Sequence, residues 1–245
     1  AVQCHEYLLK SYAPELFDLT LKIADDPLIK ALKEAGGQHE EKVIRYLKGL
    51  PIEWQQVNKA QSDKAIDLET LEAVRNPNLE MIFGASFTAD FEIAAEGKEV
   101  TRKSSRPDIL FRTGLNSNGM PLWAPVDIKS HESIGENKGN SVFKIDLPKF
   151  SHTEGVKTVG RLEEKDALQL AHYVLHLEAL GLSDGSRFAG IIGKRFEFIA
   201  WADLANTMYG VGVKSESAIN RYLRQISEAE KVIDKSIARS KDHSL

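Results

Sequence analysis

The spacing of apolar residues changes several times along the chain, and each change marks an element. In "HEYLLKSYAPELFDLTLKIA" and "PLIKALKEAGGQHEEKVIRYLKGL" apolar residues recur three and four apart, so the N-terminal third is expected to be helical. On a helical wheel of the second stretch, Leu28, Leu32, Ala35, His39, Val43 and Tyr46 form one stripe, with the histidine in its middle. "DLETLEAVRNP" (67–77) predicts a short helix capped by Asp67 and stopped by Pro77. The period then falls to two. "SFTADFEIAA" and "KEVTRKS" flank Glu96-Gly97 as a hairpin, and "PDILFR" and "LWAPVDIK" flank the turn-forming "TGLNSNGMP". Residues 131–160 are polar and read as a long loop. "EEKDALQLAHYVLHLEALG" (163–181) returns to helical spacing and stops at Gly181. "RFAGIIGKRFEFIAWADL" (187–204) reads as two strands about Gly193, and Ser215 opens a long charged C-terminal helix (214–241). The expected fold is α/β (α+β): one domain over 1–245, with a helical part (1–35), a sheet-bearing core (36–204) and the closing helix.

Composition narrows the class. The 245 residues carry 42% hydrophobic composition, a size suited to one large domain. No apolar run is long enough for a membrane span. The start "AVQCHEYLLKSYAPEL" lacks a basic segment before an apolar one, so no signal peptide is expected. It also lacks Met, which fits either Met removal or a longer parent chain. A single cysteine, Cys4, excludes a disulfide framework or a multi-cysteine metal site within these residues and suggests a reducing cytoplasm. Net charge is −4, which is not the footprint of a protein that coats nucleic acid electrostatically. Enzymes with acidic metal sites remain compatible with it.

Four pieces carry candidate chemistry. His39 in "GGQHEEKVIRYL" is either a satisfied core histidine or an imidazole aimed at a metal. Asp108 in "SRPDILF" starts a strand with Leu110 on its face and Ile109 and Phe111 opposite, unless it belongs to an exposed turn. In "PVDIK", Asp127 and Lys129 share one face while Val126 and Ile128 point the other way. A carboxylate at a buried strand end is costly unless it is paired or holds a metal. In "QLAHY", Gln169, Tyr173 and His176 occupy one narrow helix face, either a site face or the polar edge of a packing helix. His172 and His176 have the spacing of a zinc pair, but the glutamate of the metalloprotease motif is missing.

In this order the pieces resemble the RecB-type branch of the PD-(D/E)xK nuclease superfamily, over roughly residues 36–200. "GGQHEE" resembles its Gly-x-x-His segment, "RPDIL" its second-strand acid, "PVDIK" its namesake motif and "QLAHY" its Gln-x-x-x-Tyr helix; "CHEYLL" is similar to the cysteine-bearing helix at the start of such nucleases. The resemblance implies a restriction-endonuclease-like core of helix, three-stranded meander, helix and strand. It implies hydrolysis of phosphodiester bonds, with DNA as the expected substrate. Asp108, Asp127 and Lys129 would be catalytic. Mg²⁺ or Mn²⁺ would be held by His39, Asp108, Asp127 and the Ile128 carbonyl, and Gln169 and Tyr173 would bind substrate. Lys138, Lys144 and Lys149 could track the phosphate backbone. With one cysteine no iron–sulfur cluster is expected, and with no helicase motif any helicase or further domain would come from a longer chain or a partner. The competing class is a member of the same fold that has lost catalysis and only binds nucleic acid or a partner.

Overall fold

The computed structural model describes residues 27–58, 62–93, 98–132, 134–135, 140–147, 155–210, 212, 215–228 and 231. Helix α1 (Pro27–Lys48) is followed by strand β1 (Trp54–Gln56), helix α2 (Asp63–Ala73) and strand β2 (Met81–Phe83). Then come β3 (Phe87–Ile93), β4 (Lys98–Ser105), β5 (Ile109–Leu115), β6 (Pro121–Ile128), β7 (Ile134–Gly135), β8 (Ser141–Asp146), β9 (Val156–Val159) and β10 (Arg161–Leu162). Helix α3 (Glu164–Ala179) leads to β11 (Phe188–Ile192), β12 (Phe198–Asp203), β13 (Met208–Tyr209) and β14 (Glu216–Ser217). Residues 218–228 are helical.

Eight strands form one mixed sheet in the order β1-β2-β5-β6-β11-β12-β8-β9. Strands β2, β5 and β6 make an antiparallel meander, and β11 lies parallel to β6. A parallel neighbour cannot be reached by a tight turn, so the chain needs a crossover, and α3 supplies its helix.

Alternating side chains divide the core between the two faces. Ile109, Phe111, Ala124, Val126, Ile192, Ile199 and Trp201 pack with Val43 and Leu47 of α1. On the opposite face Leu110 and Trp123 pack with Ile66 and Val74 in and just beyond α2. Ile191, Ala200 and Ala202 pack there with Leu170, Ala171 and Val174 of α3 and with Ile219 and Ile226 of the last helix. Each large apolar side chain so buried contributes about 1.5–3 kcal/mol. Gly190 permits a close approach on the α1 face. A Cβ there would stand 2.8 Å from Ile199, 2.9 Å from Val126 and 3.2 Å from Trp201.

The layered fold with a mixed sheet flanked by helices agrees with the sequence. Four expectations are corrected. The stretch 131–160 is not one loop: it contains β7, β8 and β9, and β8 pairs with β12 and β9. Its strands are short and rich in polar residues, so no long period-two run shows. The second helix begins a turn before Asp67, with Ser62 at its N-cap, and Asp67 instead accepts a hydrogen bond from Ser86 Oγ at 2.8 Å. Ser215 does not open the last helix; Ser217 Oγ accepts from the Asn220 amide at 3.2 Å at its start. Along α1, Val43 is buried but Ala35 and Tyr46 are exposed, so the apolar stripe is used only in part. Cys4, the first predicted helix, Glu96-Gly97, Lys138, Lys149 and the end of the C-terminal helix lie outside the described residues.

Candidate active site

The antiparallel register of β5 and β6 sets Ile109 opposite Val126. Asp108 and Asp127, one step further along each strand, are therefore brought together at one end of the sheet. Their parity with Leu110 and Trp123 turns both toward the face covered by α2 and α3. Asp127 is 2% exposed, whereas Asp108 is half-buried. Asp108 Oδ2 accepts from the Ile128 amide at 2.8 Å.

Burial is the largest cause pushing the Asp108 carboxyl up, to about 8. The negative charge of Asp127 and a hydrogen bond between the two side chains raise it further. The Ile128 amide acts the other way, and Glu40 adds a small upward contribution. Two acids thus share a poorly solvated site in which one holds its proton through neutral pH.

Lys129 follows β6 directly, and its amide donates to the Ile192 carbonyl at 2.9 Å. Its ammonium is 2.5 Å from Asp127 Oδ2 and donates to Gln169 Oε1 at 2.9 Å. The Lys129–Asp127 contact is a charge pair and not an aligned hydrogen bond, so buried Asp127 Oδ2 has no hydrogen-bond partner among the described residues. Gln169 Nε2 in turn donates to Tyr173 Oη at 2.6 Å. Gln169 is exposed and can meet a substrate. Tyr173 is 6% exposed, and its hydroxyl anchors the Gln169 amide. Burial first, then the nearby Asp127 charge, pushes the Tyr173 hydroxyl above its ordinary range.

His39 sits on the helix that covers the opposite face. Its ring meets Phe196 edge-on at 6.0 Å, and its Nε2 is buried with no hydrogen-bond partner among the described residues. The adjacent Glu40 contributes to the field at Asp108. Lys144, on β8, lies over the Phe198 ring at 4.5 Å. Among the described residues His172 and His176 join no group of three metal-ligating side chains; their rings are 4.4 Å apart, and His172 Nδ1 shares a 2.5 Å hydrogen bond with Tyr222 Oη.

Three further residues were missed. His131 Nε2 is 3.2 Å from Asp166 Oδ2 and 3.9 Å from Glu163 Oε2, and Asp166 Oδ1 is 4.0 Å from the Lys129 ammonium. Asp166 is 3% exposed. Two signals could have found His131 and Asp166. Asp127, Lys129 and His131 continue one alternating series, and Asp166, Gln169 and Tyr173 fall at i, i+3 and i+7 of one helix face.

The donor set suits a hard divalent cation. Oxygen ligands predominate, and a cation would take the place of the proton that Asp108 holds beside Asp127, displacing Lys129 from the Asp127 carboxylate; His39 Nε2, on the helix over the other face, is buried with no hydrogen-bond partner among the described residues. The chain has no significant match among family models, curated proteins or solved structures.

Proposed function

We propose that the protein is a Mg²⁺- or Mn²⁺-dependent nuclease, with DNA as the expected substrate. The observation that carries this reading is the meeting of Asp108, Asp127 and Lys129 at one sheet end, backed by Gln169 and Tyr173. The element order supports it: α1, the meander β2-β5-β6, helix α3 and the parallel strand β11 follow the sequence expected of a restriction-endonuclease-like core.

Asp108 and Asp127 would hold the cation, with His39 Nε2 and the Ile128 carbonyl as further candidate ligands. With a cation bound there, the phosphate would be polarised and the cation's water made more acidic. The Lys129 ammonium would orient the attacking water and offset charge that develops on the phosphate. Gln169 fixes the direction of the Lys129 ammonium and can hydrogen-bond a substrate. Tyr173 holds Gln169 in turn.

One feature favours the non-catalytic binding module: the 2.5 Å contact between Lys129 and Asp127 occupies the carboxylate that a cation would need. The two readings separate in one experiment. Labelled single- and double-stranded DNA and RNA are incubated with Mg²⁺, Mn²⁺ or EDTA, beside an Asp127→Ala control. Metal-dependent cleavage that Asp127→Ala abolishes supports the nuclease. Binding of any of these strands without cleavage under all conditions refutes the nuclease and leaves the module.

A further inference from the structure

Beside the acid pair stands a second buried carboxylate, Asp166, to which the proposed chemistry gives no task. At 3% exposure it requires compensation, because a buried charge without a partner is strongly unfavourable. Its position near the start of α3 supplies some, since the helix dipole favours an acid there. Yet its two oxygens face side chains: Oδ2 lies 3.2 Å from His131 Nε2, and Oδ1 lies 4.0 Å from Lys129 Nζ. Lys129 consequently stands between two buried acids, with Asp127 at 2.5 Å and Asp166 at 4.0 Å, while exposed Gln169 accepts its hydrogen bond.

These distances matter once Asp127 is engaged elsewhere. When Asp127 turns to a cation, Lys129 loses its nearest counter-charge and acquires a positive neighbour. A flexible ammonium so placed would swing to solvent unless another anion held it. Gln169 offers a dipole but no charge. Asp166 offers a full charge on the helix face that also carries Gln169, and His131, 37% exposed, covers its outer oxygen. We infer that Asp166, covered by His131, is a positioning residue that keeps the Lys129 ammonium in the site while Asp127 is occupied. This rests on the nuclease reading for its purpose but not for its test.

The test uses Asp127→Asn to remove the first counter-charge without adding metal. Nitrogen-15 lysine spectra of the full chain are recorded for the parent, Asp127→Asn, Asp166→Asn and the double variant, with the signal assigned by Lys129→Arg. Asparagine is isosteric with aspartate, and a thermal melt checks that each variant folds. The Lys129 ammonium signal is expected to persist in Asp127→Asn and to vanish by exchange in the double variant. Loss in Asp127→Asn alone, or persistence in the double variant, overturns the inference, whether or not the protein cleaves anything.

If the parent is a nuclease, Asp166→Asn should lower kcat by about 10–100-fold, as loss of an outer supporting contact does. KM and Mg²⁺ affinity should stay unchanged, and His131→Ala, at a more exposed position, should give a smaller loss in kcat. A fall in Mg²⁺ affinity equal to the fall in kcat would make Asp166 a metal ligand and would overturn the positioning role.

Discussion

Replacing Asp108 with asparagine should stabilise the metal-free protein, and the gain should depend on pH. The carboxyl titrates near 3.8 when unperturbed, and the fold pushes it up to about 8. Between these values the folded state holds a proton that the unfolded chain releases. Stability of the parent therefore falls as pH rises from about 4 to 8, and this contribution levels off above. Each pH unit in that window costs about 1.4 kcal/mol, which gives a ceiling of about 4 kcal/mol at pH 7. Water reaching a half-buried group screens part of this, so about 2 kcal/mol is expected. Asparagine has no proton to lose, its Oδ1 can still accept from the Ile128 amide, and its Nδ2 can donate to Asp127. The assay is urea unfolding of parent and variant in EDTA at pH 5 and pH 8. Titrating groups remote from Asp108 contribute equally to both chains and cancel in the difference, so the difference reads the Asp108–Asp127 pair. Asp108→Asn should gain on the parent from pH 5 to pH 8. A gap that is constant with pH, or a variant less stable at pH 8, would refute the reasoning that two acids compete for one buried site.

The same proton links metal binding to pH: below pH 8, loading Mg²⁺ or Mn²⁺ should release it, so calorimetry in buffers of different ionisation enthalpy should show proton release and an affinity that rises toward pH 8. His39→Ala should weaken that affinity if the buried Nε2 is a ligand, whereas a change in melting temperature alone would mark a core histidine. Lys129→Ala should cut the cleavage rate by orders of magnitude with metal affinity nearly intact, while Asp127→Ala should lose both; equal cleavage by Lys129→Ala and the parent would reduce Lys129 to a structural partner. Gly190→Ala should destabilise by about 1–3 kcal/mol in urea unfolding, because Ile199, Val126 and Trp201 leave no room for a methyl group.

Much of this was legible in the sequence because it depends on local periodicity. Alternation in "PDILFR" and "LWAPVDIK" defined β5 and β6, and it also assigned Asp127 and Lys129 to one face, before any strand was paired. Helical spacing in "ALQLAHYVLHLEAL", with Gly181 just beyond, defined α3 and set Gln169 and Tyr173 on one side. These patterns are written by burial within a single element, so a window of a dozen residues contains them.

What only the tertiary structure decided depends on register and on contacts between distant elements. The pairing of Ile109 with Val126 makes neighbours of Asp108 and Asp127, and no local pattern states that pairing. Short strands such as β8 and β9 exist because partners accept their hydrogen bonds, so "SVFKID" and "VKTV" look like loop until the sheet is assembled. Asp166 and His131 are ordinary polar residues in sequence. They meet beside Lys129 only because α3 crosses from β6 to β11 and carries its N-terminal turn over that end of the sheet. The raised Asp108 carboxyl has the same origin: composition supplies two acids, but only the fold removes the water between them.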